Sequence, residues 1–197
     1  MILLTSVGAG ILTGLLISKC RGQTWRPPIF NSLWLVCLGF LPQFLSFYLP
    51  ATRQLVPDKL ASLSLVSSQI LLMGFAWKNR NLPGIPLLLV GLGCNLAVIL
   101  LNGGFMPLAV ETAAKFIDQN VLDSLVIGAR IGKASKDILL PESQILLSWL
   151  ADRYVSMRLL STQAIFSIGD VFVALGTFWV LLNWRPNATL SSSGESL

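Results

Sequence analysis

The sequence contains no histidine, and only 12% of its 197 residues are charged. Soluble domains average about 25% charged residues, so this share is roughly half of theirs. Without imidazole, the commonest general base and a usual ligand of haem and zinc are missing. The three cysteines are scattered along the chain, which excludes a disulfide framework and a thiolate metal site. We therefore expect no metal and no cofactor.

Recognisable catalytic motifs are also missing from the sequence. It contains no P-loop, no HExxH zinc motif, no GxSxG nucleophile elbow and no Rossmann glycine fingerprint. An intramembrane aspartyl protease needs two apposed carboxylates, but only Asp170 lies within an apolar stretch of the chain. The sequence therefore favours a protein that is not an enzyme.

Long apolar stretches are what the sequence does contain. Hydrophobic residues make up 54% of the chain and its mean hydropathy is +0.73, which excludes a disordered chain and an ordinary soluble domain. The stretches are Met1–Ser18, Ile29–Leu49, Leu60–Trp77, Ile85–Leu101 and Ala164–Leu182. As helices they would each extend about 25–32 Å, close to the thickness of a bilayer core. The sequence predicts an all-α polytopic membrane bundle of five transmembrane helices in one domain, residues 1–186.

The charged residues support this interpretation and predict how the helices are oriented. The five stretches contain only one of the 23 charged residues. Residues 19–28 and 78–84 contain five basic residues and no acidic one. By the positive-inside rule both loops lie in the cytoplasm, with the N-terminus outside and the C-terminus inside. Residues 187–197 are predicted to be a disordered cytoplasmic tail.

Residues 102–163 form one long connection on the predicted outer side of the membrane. The pattern predicts three helices in it, from Pro107 to about Asp118, over Val121–Ile131 and over Pro141–Tyr154. We therefore expect an outer helical cap segment, which either lies on the outer leaflet or packs on the ends of the bundle. Its six basic and six acidic residues balance, which excludes a polyanion as its ligand.

Polar side chains inside the predicted helices are candidate functional residues, because they are costly in lipid unless they are paired. Gln43, Gln69, Asn95 and Asp170 lie on four different helices, about 9–13 Å from the outer end of each. Asn102 lies two turns after Asn95 on the same face. One hypothesis is a polar pocket for a substrate, a lipid headgroup or an ion, with Asp170 as its charged residue. The other is hydrogen bonding between helices, worth about 1 kcal/mol or less for each contact.

Two motifs in the second half of the chain resemble those of a protein family. The first is Asn102-Gly103-Gly104-Phe105-Met106-Pro107, at the end of the fourth helix, and the second is Phe166-Ser167-Ile168-Gly169-Asp170, at the start of the fifth. This NGG-x-MP element and the later FSxGD element together resemble a family of small bacterial integral membrane proteins of unknown function. The resemblance implies a bacterial plasma membrane location and a similar fold, without an activity. In physical terms, the two glycines would end the helix and Pro107 would start the next one.

Members of that family tend to carry a histidine near the position that Lys136 and Asp137 occupy here. This chain departs from that pattern, which argues against a catalytic role based on imidazole. Small size, glycine-lined helix faces and the lack of catalytic motifs favour a non-enzymatic accessory or assembly subunit of a larger membrane complex. The alternative is a small transporter or lipid-handling protein with a polar site in the outer half of the bilayer. A membrane enzyme that uses Asp170 is a third hypothesis. The expected partners are membrane lipids and other membrane protein subunits, and no nucleic acid.

Overall fold

The computed structural model describes residues 2–22, 24–25, 28–155 and 165–182, and most of these residues are helical. A mostly helical fold is therefore confirmed. The five long helices are α1 (Ile2–Cys20), α2 (Trp34–Gln43), α4 (Asp58–Lys78), α5 (Ile85–Leu101) and α8 (Ile168–Leu182). A π-helical turn over Phe44–Tyr48 continues α2, and the short helix α3 (Pro50–Arg53) follows it. The predicted disordered tail, residues 187–197, lies outside the described residues.

The long helices pack side by side in a row. α2 packs on α4, α4 on α5, α5 on α8, and α8 on α1, so that α2 and α1 form the two edges. Between α4 and α5 the core contains the buried side chains of Leu65, Val98 and Ile99. Because each helix has at most two neighbours in such a row, large parts of its surface are left uncovered by the rest of the chain.

The sequence predicts five membrane-spanning helices, but in the described residues only α1 and α4 are both long and apolar enough to cross a bilayer. The other three apolar helices have between 10 and 17 residues. α2 begins at Trp34 and not at Ile29, because Ser32 adopts a left-handed backbone conformation (φ 59°) just ahead of it. α8 begins at Ile168 because the residues before it form a strand. The prediction of five full-length spans is therefore wrong for three of them.

The connection between α5 and α8 is built around short strands and not around the helices that the sequence predicts. β1 (Met106–Ala109) pairs in parallel with β2 (Asp137–Leu140). β3 (Tyr154–Val155) pairs in antiparallel fashion with β4 (Ile165–Phe166). The remaining short elements are α6 (Val110–Ala113), α7 (Gln119–Ser124) and 3-10 turns at Glu142–Gln144 and Ser148–Leu150. The predicted helical structure of the outer cap segment is therefore wrong.

Each of the three predicted cap helices fails for a local reason. Residues 106–109 are buried at every position, so they pair as an interior strand and do not present one helical face. In the second stretch α7 ends at Ser124, and Gly128 has a left-handed φ of 83°. In the third, Leu147 has a φ of 57°, which interrupts a helix and leaves two separate 3-10 turns.

One end of the helix row gathers the two loops that are free of acidic residues. The Asn79 side chain accepts a hydrogen bond from the Asn31 backbone N–H at 2.7 Å and donates one to the Asn31 carbonyl. These bonds join the residues before α2 to the loop after α4. We call this the basic end, and its described basic residues are Lys19, Arg21, Lys78 and Arg80.

The opposite end of the row, which we call the cap end, is covered by the α5–α8 connection. Asp58, at the start of α4, forms ion pairs with Arg130 and Lys133 of that connection, at 3.1 and 3.0 Å. The Arg130 guanidinium also lies over the rings of Phe47 and Phe105. The two loops that the charge pattern assigns to one side of a membrane thus share one end, and the long connection occupies the other.

Candidate functional site

The start of α8 at the cap end is fixed by a reciprocal pair of hydrogen bonds. The Asp170 backbone N–H donates to Ser167 Oγ at 3.0 Å, and the Ser167 backbone N–H donates to Asp170 Oδ2 at 3.1 Å. This is a capping box, in which the residue before the helix and the third helical residue satisfy each other's backbone donors. The serine and aspartate of the FSxGD motif therefore both serve to begin α8.

Asn95 of α5 connects to both members of this capping box. Its Nδ2 donates to Asp170 Oδ1 at 2.9 Å, and its Oδ1 accepts a hydrogen bond from Ser167 Oγ at 3.0 Å. Asn95 and Ser167 are buried, and Asp170 is half-buried. We call Asn95, Ser167 and Asp170 the cap cluster. Its hydrogen bonds link α5 to α8, and each oxygen of the Asp170 carboxylate already accepts one of them.

Glycines make this close approach of α5 and α8 possible. A Cβ added at Gly169 would overlap Asn95 Oδ1, and one at Gly91 would lie 2.5 Å from the Gly169 carbonyl oxygen. Seven residues away on each helix, Gly84 and Gly176 meet in the same way. The equal spacing of 84 to 91 and 169 to 176 is the sequence signal that could have predicted this antiparallel crossing, and the sequence analysis missed it.

A second group of charged residues lies next to the cap cluster. Lys136 Nζ lies 2.9 Å from Asp152 Oδ2 and 3.7 Å from Asp137 Oδ1, and Asp152 is only 2% exposed. The backbone positions both partners, because the Lys136 carbonyl accepts a hydrogen bond from Met106 and Asp152 forms a bridge with Leu108. The backbones of Lys136 and Asp152 therefore flank β1, one on each side.

Sequence reasoning did not include the Lys136–Asp152 pair among the candidate site residues. The two residues are 16 positions apart and meet only because β1 brings their segments together. Helix and strand periodicities relate only residues within one element, and these two residues lie on different segments. No local sequence pattern could therefore have predicted the pair.

Burial and neighbouring charges shift the pKa values of this pair. The pKa of the Asp152 carboxyl is raised to about 7, mainly because the side chain is buried. The carboxylates of Asp137 and Asp170 also raise this pKa, and the positive charge of Lys136 lowers it. Burial lowers the pKa of Lys136, but the combined attraction of the three carboxylates outweighs this and raises it above the ordinary value for lysine. Asp152 Oδ1 and Asp137 Oδ1 are buried and accept no hydrogen bond. A charged Asp152 is therefore only partly compensated.

We predict that Asp152 makes the protein less stable as the pH rises from 5 to 8. The pKa of an unfolded aspartate is about 3.9, and burial raises that of Asp152 to about 7. The folded state therefore binds more protons in this interval, and the free energy of unfolding falls as the pH rises through it. The measurement is the melting temperature in detergent across this pH range. Asp152→Asn should flatten the profile, and an equally steep profile in the variant would show that another group is responsible.

The other polar residues predicted from the sequence do not join the cap cluster. Asn102 Nδ2 donates to the carbonyls of Val98 and Leu146, and its Oδ1 accepts from the Leu146 backbone N–H. Gln43 Nε2 donates to Ser68 Oγ at 2.6 Å. Gln69 Oε1 is buried without a hydrogen-bond partner. Of the predicted layer, the structure brings only Asn95 and Asp170 together, and a ligand site formed by them stays a prediction.

The NGG-x-MP motif ends α5 and begins β1. Gly103 and Gly104 have φ values of 82° and 85°, which is the backbone conformation that terminates a helix. A side chain at Gly104 would overlap Ser62 Oγ of α4. Met106 and Pro107 are buried in β1, so the chain continues as a strand and not as the helix that Pro107 was expected to start.

Neither group at the cap end is arranged as a metal site. Within the part of the chain that the structure describes, no set of three or more cysteine, aspartate or glutamate side chains could ligate an ion. What the arrangement does provide is a hydrogen-bonded link between helices and, beside it, an ion pair whose carboxylate is buried.

Taken with the fold, these features define a mostly helical protein whose apolar helices carry a small mixed segment at one end. The model of DUF5317, a family of unknown function, matches residues 29–182, and the chain belongs to that family. The matched range includes both motifs, the cap cluster and the Lys136–Asp152 pair. Comparison with curated proteins gives no match, and comparison with solved structures gives none either. Family membership assigns no activity.

Proposed function

We propose that this chain is an integral membrane protein that acts as a non-enzymatic accessory or assembly subunit of a larger membrane complex. The observation that carries the proposal is the exposure of its apolar helices. In the most apolar 18-residue windows of α1 and α4, only 17% and 22% of the residues are buried inside the chain. A core helix of a soluble protein would be mostly buried, whereas helices in a bilayer expose their apolar sides to lipid.

The edge helix α1 illustrates which surface is left for lipid or partners. Its buried residues are Gly10, Gly14 and Ser18, which form a narrow stripe, and the two glycines of that stripe lie against Leu181 of α8. Large leucines point away from that stripe, with Leu4 73% and Leu12 59% exposed. Continuous apolar surface of this kind is rare on soluble monomers and is typical of membrane or protein contacts.

The three shorter helices are compatible with the same location. At roughly 1.5 Å per residue, α5 and α8 are about 25 and 22 Å long, and a bilayer can thin or the flanking residues can extend to match such lengths. The basic end then lies in the cytoplasm and the cap end outside, in the plasma membrane of a bacterium. The grouping of the acid-free loops at one end supports this orientation.

The cap cluster favours an accessory role over a transport site. Each oxygen of Asp170 already accepts a hydrogen bond from Ser167 or Asn95, so a ligand would have to displace contacts that begin α8 and join it to α5. The second proposal is a small transporter or lipid-handling protein. The observation that favours it is that one buried carboxylate oxygen of Asp137 and one of Asp152 accept no hydrogen bond.

Asp170→Asn separates these two proposals. For an accessory subunit we expect the loss of one hydrogen bond to a charged group, about 1.5–3 kcal/mol of stability, with unchanged partners. The measurement is native mass spectrometry of the gently solubilised protein before and after the substitution. Asp118→Asn, in the same connection but outside the cap cluster, is the control. A monomer without associated chains would contradict the accessory role. An Asp170→Asn protein that still folds but no longer transports a solute, or is no longer stabilised by a ligand, would favour transport.

A further inference from the structure

An open groove of about 510 Å³ lies at the basic end, between the first two turns of α5 and the α8 residue Trp179. Its walls are apolar and include Pro86, Leu87 and Val90. Val90 and Trp179 are each 51% exposed, so the described residues leave the groove open. Arg80 and Asn81 lie at its polar end.

The groove follows from the close crossing of α5 and α8. A Cβ at Gly84 would overlap the Gly176 carbonyl oxygen, so the helix backbones are in contact there. Side chains on the outer face of the two helices therefore diverge from that contact and leave a channel between them. From Pro86 to Val90 the channel runs about 6 Å along α5, at roughly 1.5 Å per residue, and the loop residues before the helix extend it.

Arg80 is held in a defined position at the mouth of this channel. Its Nη1 donates to the Trp77 carbonyl at 3.0 Å, and its guanidinium carbon lies 5.0 Å from the centre of the Trp77 ring. A guanidinium has five donors in a rigid plane, which suits the oxygens of a phosphate group. The hydrogen bond to the Trp77 carbonyl uses one of these five N–H donors.

Among the described residues of the basic end, the charge is of one sign. They include the basic residues Lys19, Arg21, Lys78 and Arg80 and no acidic residue. The apolar channel matches the acyl chain of a phospholipid. The positioned arginine at its mouth and the surrounding positive charge match the phosphate of the headgroup.

We propose that this groove binds one anionic phospholipid, with the phosphate at Arg80 and an acyl chain along Leu87 and Val90. The site would occupy the cytoplasmic leaflet, where Trp77 and Trp179 lie at the level of the headgroups. This inference rests on the proposed membrane location. It goes beyond it by naming a specific lipid site, separate from the cap cluster.

The test is native mass spectrometry of the full-length protein, incubated in mild detergent with equal amounts of phosphatidylglycerol and phosphatidylcholine. We expect wild type to bind one phosphatidylglycerol selectively. Arg80→Gln should weaken that binding about tenfold, the effect of losing a charge-assisted hydrogen bond. Arg21→Gln is the matched control, because it removes the same charge from the same end outside the groove, and it should change binding less than about twofold.

Val90→Trp provides a second variant that keeps every charge and fills the channel. It should also lower phosphatidylglycerol binding, since the acyl chain loses its place. Equal losses in the Arg80 and Arg21 variants would overturn the proposal in favour of diffuse surface charge, as would wild type without selectivity. Alkaline carbonate extraction distinguishes failure of the lipid site from failure of the membrane location. A protein that stays in the membrane but shows no lipid selectivity contradicts only the lipid site. One that is released contradicts the membrane location and the lipid site together.

Discussion

Gly91→Ala is expected to destabilise the protein by about 3 kcal/mol, near the upper end of the usual cost of overpacking. The new Cβ would lie 2.5 Å from the Gly169 carbonyl oxygen and 2.7 Å from the Val173 backbone nitrogen. Both are backbone atoms, so no side chain can move aside and α5 must separate from α8. The separation would also lengthen the Asn95–Asp170 hydrogen bond. The measurement is the melting temperature and the denaturation midpoint in detergent.

Gly93→Ala is the matched control for this prediction. Gly93 lies two residues further along the same helix, and nothing in the protein lies within 4 Å of the place where its Cβ would be. Because alanine is the better helix former by about 0.5–1 kcal/mol, the control should be neutral or slightly stabilising. Equal effects of the two substitutions would mean that the helix backbones do not touch at the α5–α8 crossing.

Lys136→Met should have the second large effect, a loss of about 2–3 kcal/mol at pH 8. It leaves the Asp152 carboxylate buried without its counter-ion and next to Asp137 and Asp170. Removing one partner of a fully enclosed ion pair costs about 3–5 kcal/mol. The Lys136 side chain is 43% exposed, so water reduces that cost. At pH 5, where Asp152 takes up a proton, the loss should be smaller.

Lys133→Met tests whether burial of the partner is the cause. Lys133 is three residues away and 41% exposed, but its partner Asp58 is 53% exposed. An exposed pair contributes about 0–1 kcal/mol, so this change should have little effect. Combining Lys136→Met with Asp152→Asn should recover part of the lost stability, because the unpaired charge is gone. A double variant no better than Lys136→Met alone would contradict the assignment of the cost to Asp152.

The long helices could be predicted from the sequence because apolar runs encode them locally. Four of the five predicted stretches differ from their helices only at the ends, and the fifth, Ile85–Leu101, matches α5 residue for residue. Counting depth from the outer ends also placed Asn95 and Asp170 at the same level, and they are in contact. Whether a segment is helical, and how far along the helix a residue lies, depend on that segment alone. Both can therefore be predicted from a single sequence.

The cap end could not be predicted in the same way because its structure depends on pairing between distant segments. β1 and β2 lie about 30 residues apart, and nothing in residues 106–109 alone indicates that they are buried on both sides. The stripe in residues 141–154 has the spacing of a helix, but Asn102 binds the Leu146 backbone on both its N–H and its carbonyl. Tertiary contacts of this kind override local propensity.

Cysteine accessibility tests the central claim, that the helices cross a membrane with the basic end inside, most directly. Cys20 is exposed at the basic end, and Val126 is 70% exposed in the α5–α8 connection. One variant keeps Cys20 as its only cysteine, and another has Val126→Cys as its only one. In intact bacterial cells a membrane-impermeant maleimide should label Val126→Cys, and Cys20 only after the cells are permeabilised. Labelling of Cys20 in intact cells, with Val126→Cys protected, would contradict the orientation, and recovery of both in the soluble fraction would contradict the membrane location.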